Sequence, residues 1–181
     1  AFTLHISAEE GLFMAEIEQN NPFEDLYFLN KADDIQSIVE PLTSSSPILG
    51  VGLIKRFDDG HFVMFINIKD NLLLSLEHNL HLDFFSKEVQ AGISRFRTSP
   101  VEKIRNIEHL VAENLGLSNF ITFTKRCQDS YEEYVFVGDK KSDDKTSRFY
   151  HYHQDKLLKF IADFNINHKQ ALFNEAIDTP G

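Results

Sequence analysis

Apolar and polar positions along this chain follow two periods, and the switches between them mark out its elements. Residues 8 to 18 place Leu12, Phe13 and Ile17 near helical spacing behind an acidic start. That predicts a helix, which Asn20, Asn21 and Pro22 then break. A second helix is expected over 31 to 43, where Ile35, Ile38, Val39 and Leu42 share one face, and the run from Thr43 to Pro47 ends it. The period next changes to two. Residues 48 to 57 and 61 to 68 flank Asp58-Asp59-Gly60 and read as a hairpin, because glycine accepts the positive φ such turns need. In the second run Phe62, Met64, Ile66 and Ile68 alternate with His61, Val63, Phe65 and Asn67, so both faces are largely apolar. A strand of that kind expects helices packed on both sides.

Residues 70 to 80 read as a further helix, and 93 to 97 as a short strand. Ser99 as N-cap, Pro100 at the first helical position and Glu102 near the dipole then start a helix. It carries Val101, Ile104, Ile107, Val111 and Leu115 inward, and Gly116 supplies the left-handed stop. Runs 119 to 127 and 131 to 138 form a second hairpin around Gln128 to Ser130. A long helical region over 144 to 164 follows, with Asn165-Ile166-Asn167 interrupting it before a last turn or two over 171 to 176. Hairpins separated by helices predict an α+β fold: a three-layer α-β-α sandwich around a central antiparallel sheet of about five strands. The expected organisation is one domain over 1 to 181, comprising an N-terminal helical segment (1 to 30), a sandwich core (31 to 164) and a C-terminal helix or linker (165 to 181).

Composition narrows the function classes. The 181 residues suit one domain, and 42% hydrophobic with 25% charged residues supports a packed core. Seventeen phenylalanines and no tryptophan fill the interior with rings that need no polar partner. The formal charge, 18 − 28 = −10, repels phosphate backbones, so direct nucleic-acid binding is not expected. Lys140 and Lys141 lie among Asp139, Asp143 and Asp144 and read as a solvated loop. The lone Cys127 excludes an internal disulfide or multi-cysteine metal site and points to a reducing, cytoplasmic setting. No apolar run reaches the roughly 18 residues a membrane span needs, and the first residues lack a signal-peptide pattern.

The search for chemistry yields little that is specific. His78 and His81 can share a helix face, but no zinc-binding frame surrounds them or the pair His151 and His153, so no metal is expected. No phosphate loop, dinucleotide fingerprint or nucleophile elbow is present, so neither an enzyme nor a cofactor is expected. Gly50-Val51-Gly52 sits inside a strand and reads as close backbone approach or a bulge. Glu132 and Glu133 are adjacent on a strand and so point to opposite faces. Phe62, Phe65, Phe120, Phe123, Tyr134 and Phe136 all fall on the two hairpins, where they either fill a core or line a small apolar cavity.

The hairpin KRFDDGHFVMFIN, the helix and turn EHLVAENLGLSNFITF, the strand EYVFVG and the late run FYHYHQDKLLKFIADF occur in a recognisable order. That order resembles the N-terminal sensor domains of LuxR-type transcriptional regulators over residues 31 to 175. The shared marks are Asp59-Gly60 between the first two strands, Gly116-Leu117 after a helix, and Phe136-Val137-Gly138 closing the last strand. The resemblance implies a sandwich related to GAF and PAS sensors, with an unknown small molecule held between sheet and helices. It also implies a homodimer and a role in regulating transcription, through a helix-turn-helix that residues 1 to 181 do not include. Candidate ligand contacts on this basis are Phe62, Met64, Ile66, His81, Asp83, Phe123 and Tyr134. Asp83 falls about where the family has an aspartate, while Leu76 and His81 stand at its tyrosine and tryptophan positions. With no tryptophan, a ligand other than an acyl-homoserine lactone is expected. The segment His168 to Ile177 would be the connection onward or a dimer-forming helix. The competing expectation is a protein-interaction module with a filled core and no ligand.

Overall fold

A computed structural model of the chain describes residues 6–7, 14–15, 22–60, 62–78 and 91–172, with side chains from residue 31 onward except at Phe62 and Leu76. Near the N-terminus, β1 (Ile6–Ser7) and β2 (Met14–Ala15) pair antiparallel. Met14 and Ala15 are therefore extended, where the spacing of residues 8 to 18 predicts helix. The first helix, α1 (Pro22–Thr43), begins at the residue expected to break one. Proline's fixed φ and missing N–H suit a first helical turn. The described residues of the N-terminal segment 1 to 30 are thus part ribbon and part helix.

Each apolar run of period two becomes a strand. β3 (Ile48–Phe57) and β4 (Phe62–Ile66) form the first hairpin, closed by Gly60 at φ 95°. After α2 (Lys69–Glu77) come the short strand β5 (Gly92–Arg95) and a single 3-10 turn at Phe96–Thr98. The next helix, α3 (Glu102–Leu115), is capped by Val101 without a side-chain bond, not by Ser99. The Ser99 hydroxyl instead accepts from the Val101 amide (3.2 Å) one step upstream of the helix. Gly116 ends α3 in the left-handed region (φ 66°), its amide bonding the Ala112 carbonyl. β6 (Leu117–Arg126) and β7 (Ser130–Asp139) make the second hairpin.

The final helical region divides into α4 (Asp143–Tyr152) and α5 (Gln154–Asn167), with the break at His153. Helix runs unbroken through Asn165-Ile166-Asn167, where the sequence predicts an interruption. Asn165 is used there: its amide donates to the Ile161 carbonyl (2.7 Å) and its oxygen accepts from the Tyr134 hydroxyl (3.1 Å).

The five strands run in the order β4-β3-β7-β6-β5, and every neighbouring pair is antiparallel. The fold is therefore α+β, with helices on both faces of one sheet. Register separates those faces. Gly52 lies beside Ile66 and Val135, and Ile54 beside Met64 and Glu133, which defines one face. Leu53 lies beside Phe65 and Tyr134, and Val51 beside Phe136, which defines the other. α2 and α3 cover the first face. On the second, Phe160 and Phe164 of α5 meet the rings of Phe136 and Tyr134 edge-on, each at 5.9 Å, and Thr146 of α4 fills the space above Gly138. β4 accordingly buries both sides, with Val63 and Phe65 at 1% exposure and Met64 at 3%. Beyond the end of β4, the Asn67 side chain continues the ladder. Its oxygen accepts from the Val51 amide (2.7 Å) and its nitrogen donates to the Leu49 carbonyl (3.0 Å) and to Gln36 of α1 (2.7 Å). No helix among the described residues is long and apolar enough to cross a membrane.

Candidate ligand cavity

Two glycines on one face of β3 leave the sheet bare beneath α2 and α3. A Cβ on Gly50 would come within 2.6 Å of Val137 Cγ1, so close packing requires glycine there. At Gly52 the nearest atom to such a Cβ would be 3.6 Å away, an ordinary contact, so that glycine leaves room unfilled. Above it lies a half-enclosed apolar cavity of about 70 Å3. Gly50, Gly52, Ile54, Met64, Ile66, Val135 and Val137 form its floor, and Ile107 and Val111 of α3 with Asn71 and Ser75 of α2 form its roof. That volume matches the share of liquid occupied by about two waters. It is well below the roughly 300 Å3 at which drug-sized sites begin.

Phe96 and Phe120 close one side, their rings stacked at 4.6 Å and 5°. Phe120 shares this face with Thr122 by simple alternation, and just before it β6 carries an irregularity: pairing with β7 shifts between Ser118 and Ile121, and Asn119 adopts φ 70°. A left-handed conformation is strained for a residue other than glycine. Here it is held by Glu108 of α3, whose Oε1 accepts from the amides of Asn119 (2.5 Å) and Phe120 (3.1 Å). The Tyr150 hydroxyl donates to the Asn119 carbonyl at 2.6 Å. Arg97 bridges Glu108 (3.3 Å) to Asp143 (2.7 Å), and its hydrogen bonds hold the Asp143 carboxyl below its ordinary range. This polar cluster thus fixes one wall of the cavity and ties α3 to α4. Sequence reading missed it, since a charged residue inside an amphipathic helix gives no sign of binding a bulge.

The two adjacent glutamates of β7 have opposite surroundings. Glu132, on the face covered by α5, pairs with Lys169 (2.5 Å) and lies 3.9 Å from Lys55. Glu133 shares the cavity's face, is 3% exposed, and its Oε2 has no hydrogen-bond partner among the described residues. Burial pushes its carboxyl up to about 7, against a smaller opposing pull from Arg56. Thr122, also on this face and 3% exposed, has a hydroxyl equally without a partner among the described residues.

Of the residues the sequence nominates, Met64 and Ile66 line the cavity. Phe123 and Tyr134 stand on the opposite face, away from it. Phe123 packs edge-on against Phe136 at 5.8 Å, and Tyr134 bonds Asn165. The backbone of Phe62 pairs with Arg56 on β3, but its side chain, like His81 and Asp83, lies outside the described residues. Cys127 is half-buried, and burial together with the nearby Glu132 raises its thiol above the usual range, which suppresses thiolate chemistry. A second concavity, an open surface groove of about 670 Å3, runs between β3 and α4 past Leu49, Lys145, Arg148, Tyr152 and His153.

No protein-family model matches this sequence, and no curated protein is significantly similar to it.

Proposed function

We propose that this chain is a regulatory domain that senses a small molecule, of the kind found in LuxR-type transcriptional regulators. The observation that carries the reading is the apolar cavity between the bare strand at Gly52 and the helices α2 and α3. Its volume sets the scale of the ligand: a mostly apolar molecule of a few heavy atoms, in place of a long-chain lactone. The reading is one of binding and not of catalysis, in a cytoplasmic homodimer that does not itself touch nucleic acid. A ligand acts by its different affinity for two arrangements of the protein. Occupancy would press on Ile107 and Val111 of α3, and through Glu108, Arg97 and Asp143 on α4. The test is to denature protein purified from expressing cells and identify released small molecules by mass spectrometry. A released compound should raise the melting temperature when returned, by about 2.7 kcal/mol of stability at a hundredfold excess over its Kd. No released compound and no stabilisation by any member of a small-molecule library would overturn the reading.

A second reading, a protein-interaction module with a filled core, is favoured by the surface groove. Leu49 is 41% and Tyr152 70% exposed there, beside Lys145 and Arg148. Exposed apolar side chains beside two cations, with the Asp139 carboxylate also lining the groove, suit an apolar partner segment that carries acidic groups opposite Lys145 and Arg148. On that reading Tyr152→Ser abolishes partner binding, and no small molecule stabilises the protein.

A further inference from the structure

Resting on the cavity reading, we propose that Glu133 and Thr122 form a polar anchor that selects, among small apolar molecules, those bearing a hydrogen-bond donor, a primary amine above all. Native proteins rarely leave a buried polar atom unpaired, and each exception calls for an explanation. Here two such atoms, Glu133 Oε2 and Thr122 Oγ1, share the sheet face that floors the cavity and sit beside its lining residues, not among them. Ile54, which lines the cavity, is the cross-strand partner of Glu133. Val135, which also lines it, follows Glu133 by two residues and is the partner of Thr122. Glu133 and Thr122 are thus diagonal neighbours, about 7–8 Å apart between Cα atoms in such a ladder, within reach of one ligand group.

The chemistry of the two groups defines what they accept. An ionised carboxylate only accepts hydrogen bonds, and a hydroxyl can accept while donating elsewhere. A ligand ammonium placed beside them donates to both and neutralises the carboxylate, where the surrounding apolar walls strengthen the pairing. Its alkyl part then lies over Gly52 against Met64 and Ile66. A neutral hydroxyl can donate to the carboxylate and accept from the Thr122 hydroxyl, but it brings no charge. An acceptor-only molecule sets its lone pair against the carboxylate and gains nothing.

Propylamine, 1-propanol and propionitrile have the same number of heavy atoms and differ in donor capacity. Each is titrated into the full chain at pH 8, where most of the Glu133 carboxyl is ionised, while methyl signals of Met64, Ile54 and Val135 and the Glu133 side-chain carbon are followed by NMR. The expected result is binding by all three at the cavity methyls, with the amine roughly tenfold or more tighter than the nitrile. The amine alone should move the Glu133 carboxyl carbon. In Glu133→Gln the amine and nitrile should bind within about twofold of each other, since the amide keeps an acceptor but no charge. Equal affinities in the wild type, or an amine preference that survives Glu133→Gln, overturns the anchor while leaving the cavity reading intact. Should the variant fail to fold, a Glu133 carboxyl unmoved by the amine in the wild type overturns the anchor by itself. No response of the cavity methyls to any of the three sinks the cavity reading and the anchor with it.

Discussion

Replacing Glu133 by glutamine removes a buried carboxyl that titrates near neutrality while keeping its shape. Its folded-state value is pushed from 4.5 up to about 7. The folded protein therefore holds a proton on Glu133 where the unfolded chain has lost it, and ionisation opposes folding. The group costs nothing below about pH 4.5, costs more as pH rises toward 7, and costs its full amount above that. At about 1.4 kcal/mol per pH unit the full cost is about 3.5 kcal/mol, of which about 2.5 develops between pH 5 and pH 8. Arg56 is the described charge that acts on Glu133, and it remains in the variant, as do all other titrating groups. Urea denaturation of both proteins at pH 5 and pH 8 isolates the effect. The stability difference between variant and wild type should shift by about 2.5 kcal/mol in the variant's favour from the lower pH to the higher. Any fixed penalty of burying the amide cancels in that comparison. A shift below about 0.5 kcal/mol would mean that Glu133 is solvated or paired when ionised, and the reasoning fails.

Other substitutions probe the cavity's frame. Gly50→Ala should destabilise by about 1–3 kcal/mol, because its methyl would lie 2.6 Å from Val137. Gly52→Ala, with its nearest atom at 3.6 Å, should instead stabilise by about 0.4–1 kcal/mol and weaken small-molecule uptake, as denaturation and thermal-shift assays would show. Glu108→Ala orphans the amides of Asn119 and Phe120 and should cost about 2–4 kcal/mol, with loss of the Phe96–Phe120 stacking contacts in NMR spectra. Asn67→Ala should cost about 1–3 kcal/mol, and the Val51 amide should lose much of its hydrogen-exchange protection.

Much of the architecture was legible in the alternation of side chains. The two-sided apolar run Val63 to Ile66 required cover on both faces, and the Asp58-Asp59-Gly60 and Gly116 signals placed a turn and a helix end correctly. The site was less legible, for physical reasons. Period two says that Phe123 and Phe136 alternate with their neighbours, but not which face meets α2 and α3, because pairing register is a tertiary property. The extra residue at Asn119 reverses the direction that counting from Phe123 would give to Ser118, and only the Glu108 contact shows why. The Glu132-Glu133 pair announced opposite faces without announcing that both are buried. The strand at Met14–Ala15 and the break at His153 override local helical preference, as ladder pairing and packing routinely do. The uninterrupted helix at Asn165 depends on a tyrosine hydroxyl from a distant strand.

Xenon enters dry apolar cavities and leaves packed cores untouched. Methyl NMR spectra under xenon pressure therefore probe directly whether the space over Gly52 accepts a guest. Met64, Ile54, Ile66, Val135 and Val137 should shift together, while Ile121 and Leu157 on the far side of the sheet stay fixed, and Gly52→Ala should diminish the response. Unchanged cavity methyls, or equal shifts on both faces of the sheet, would show that no guest is taken up between β3 and the helices above it.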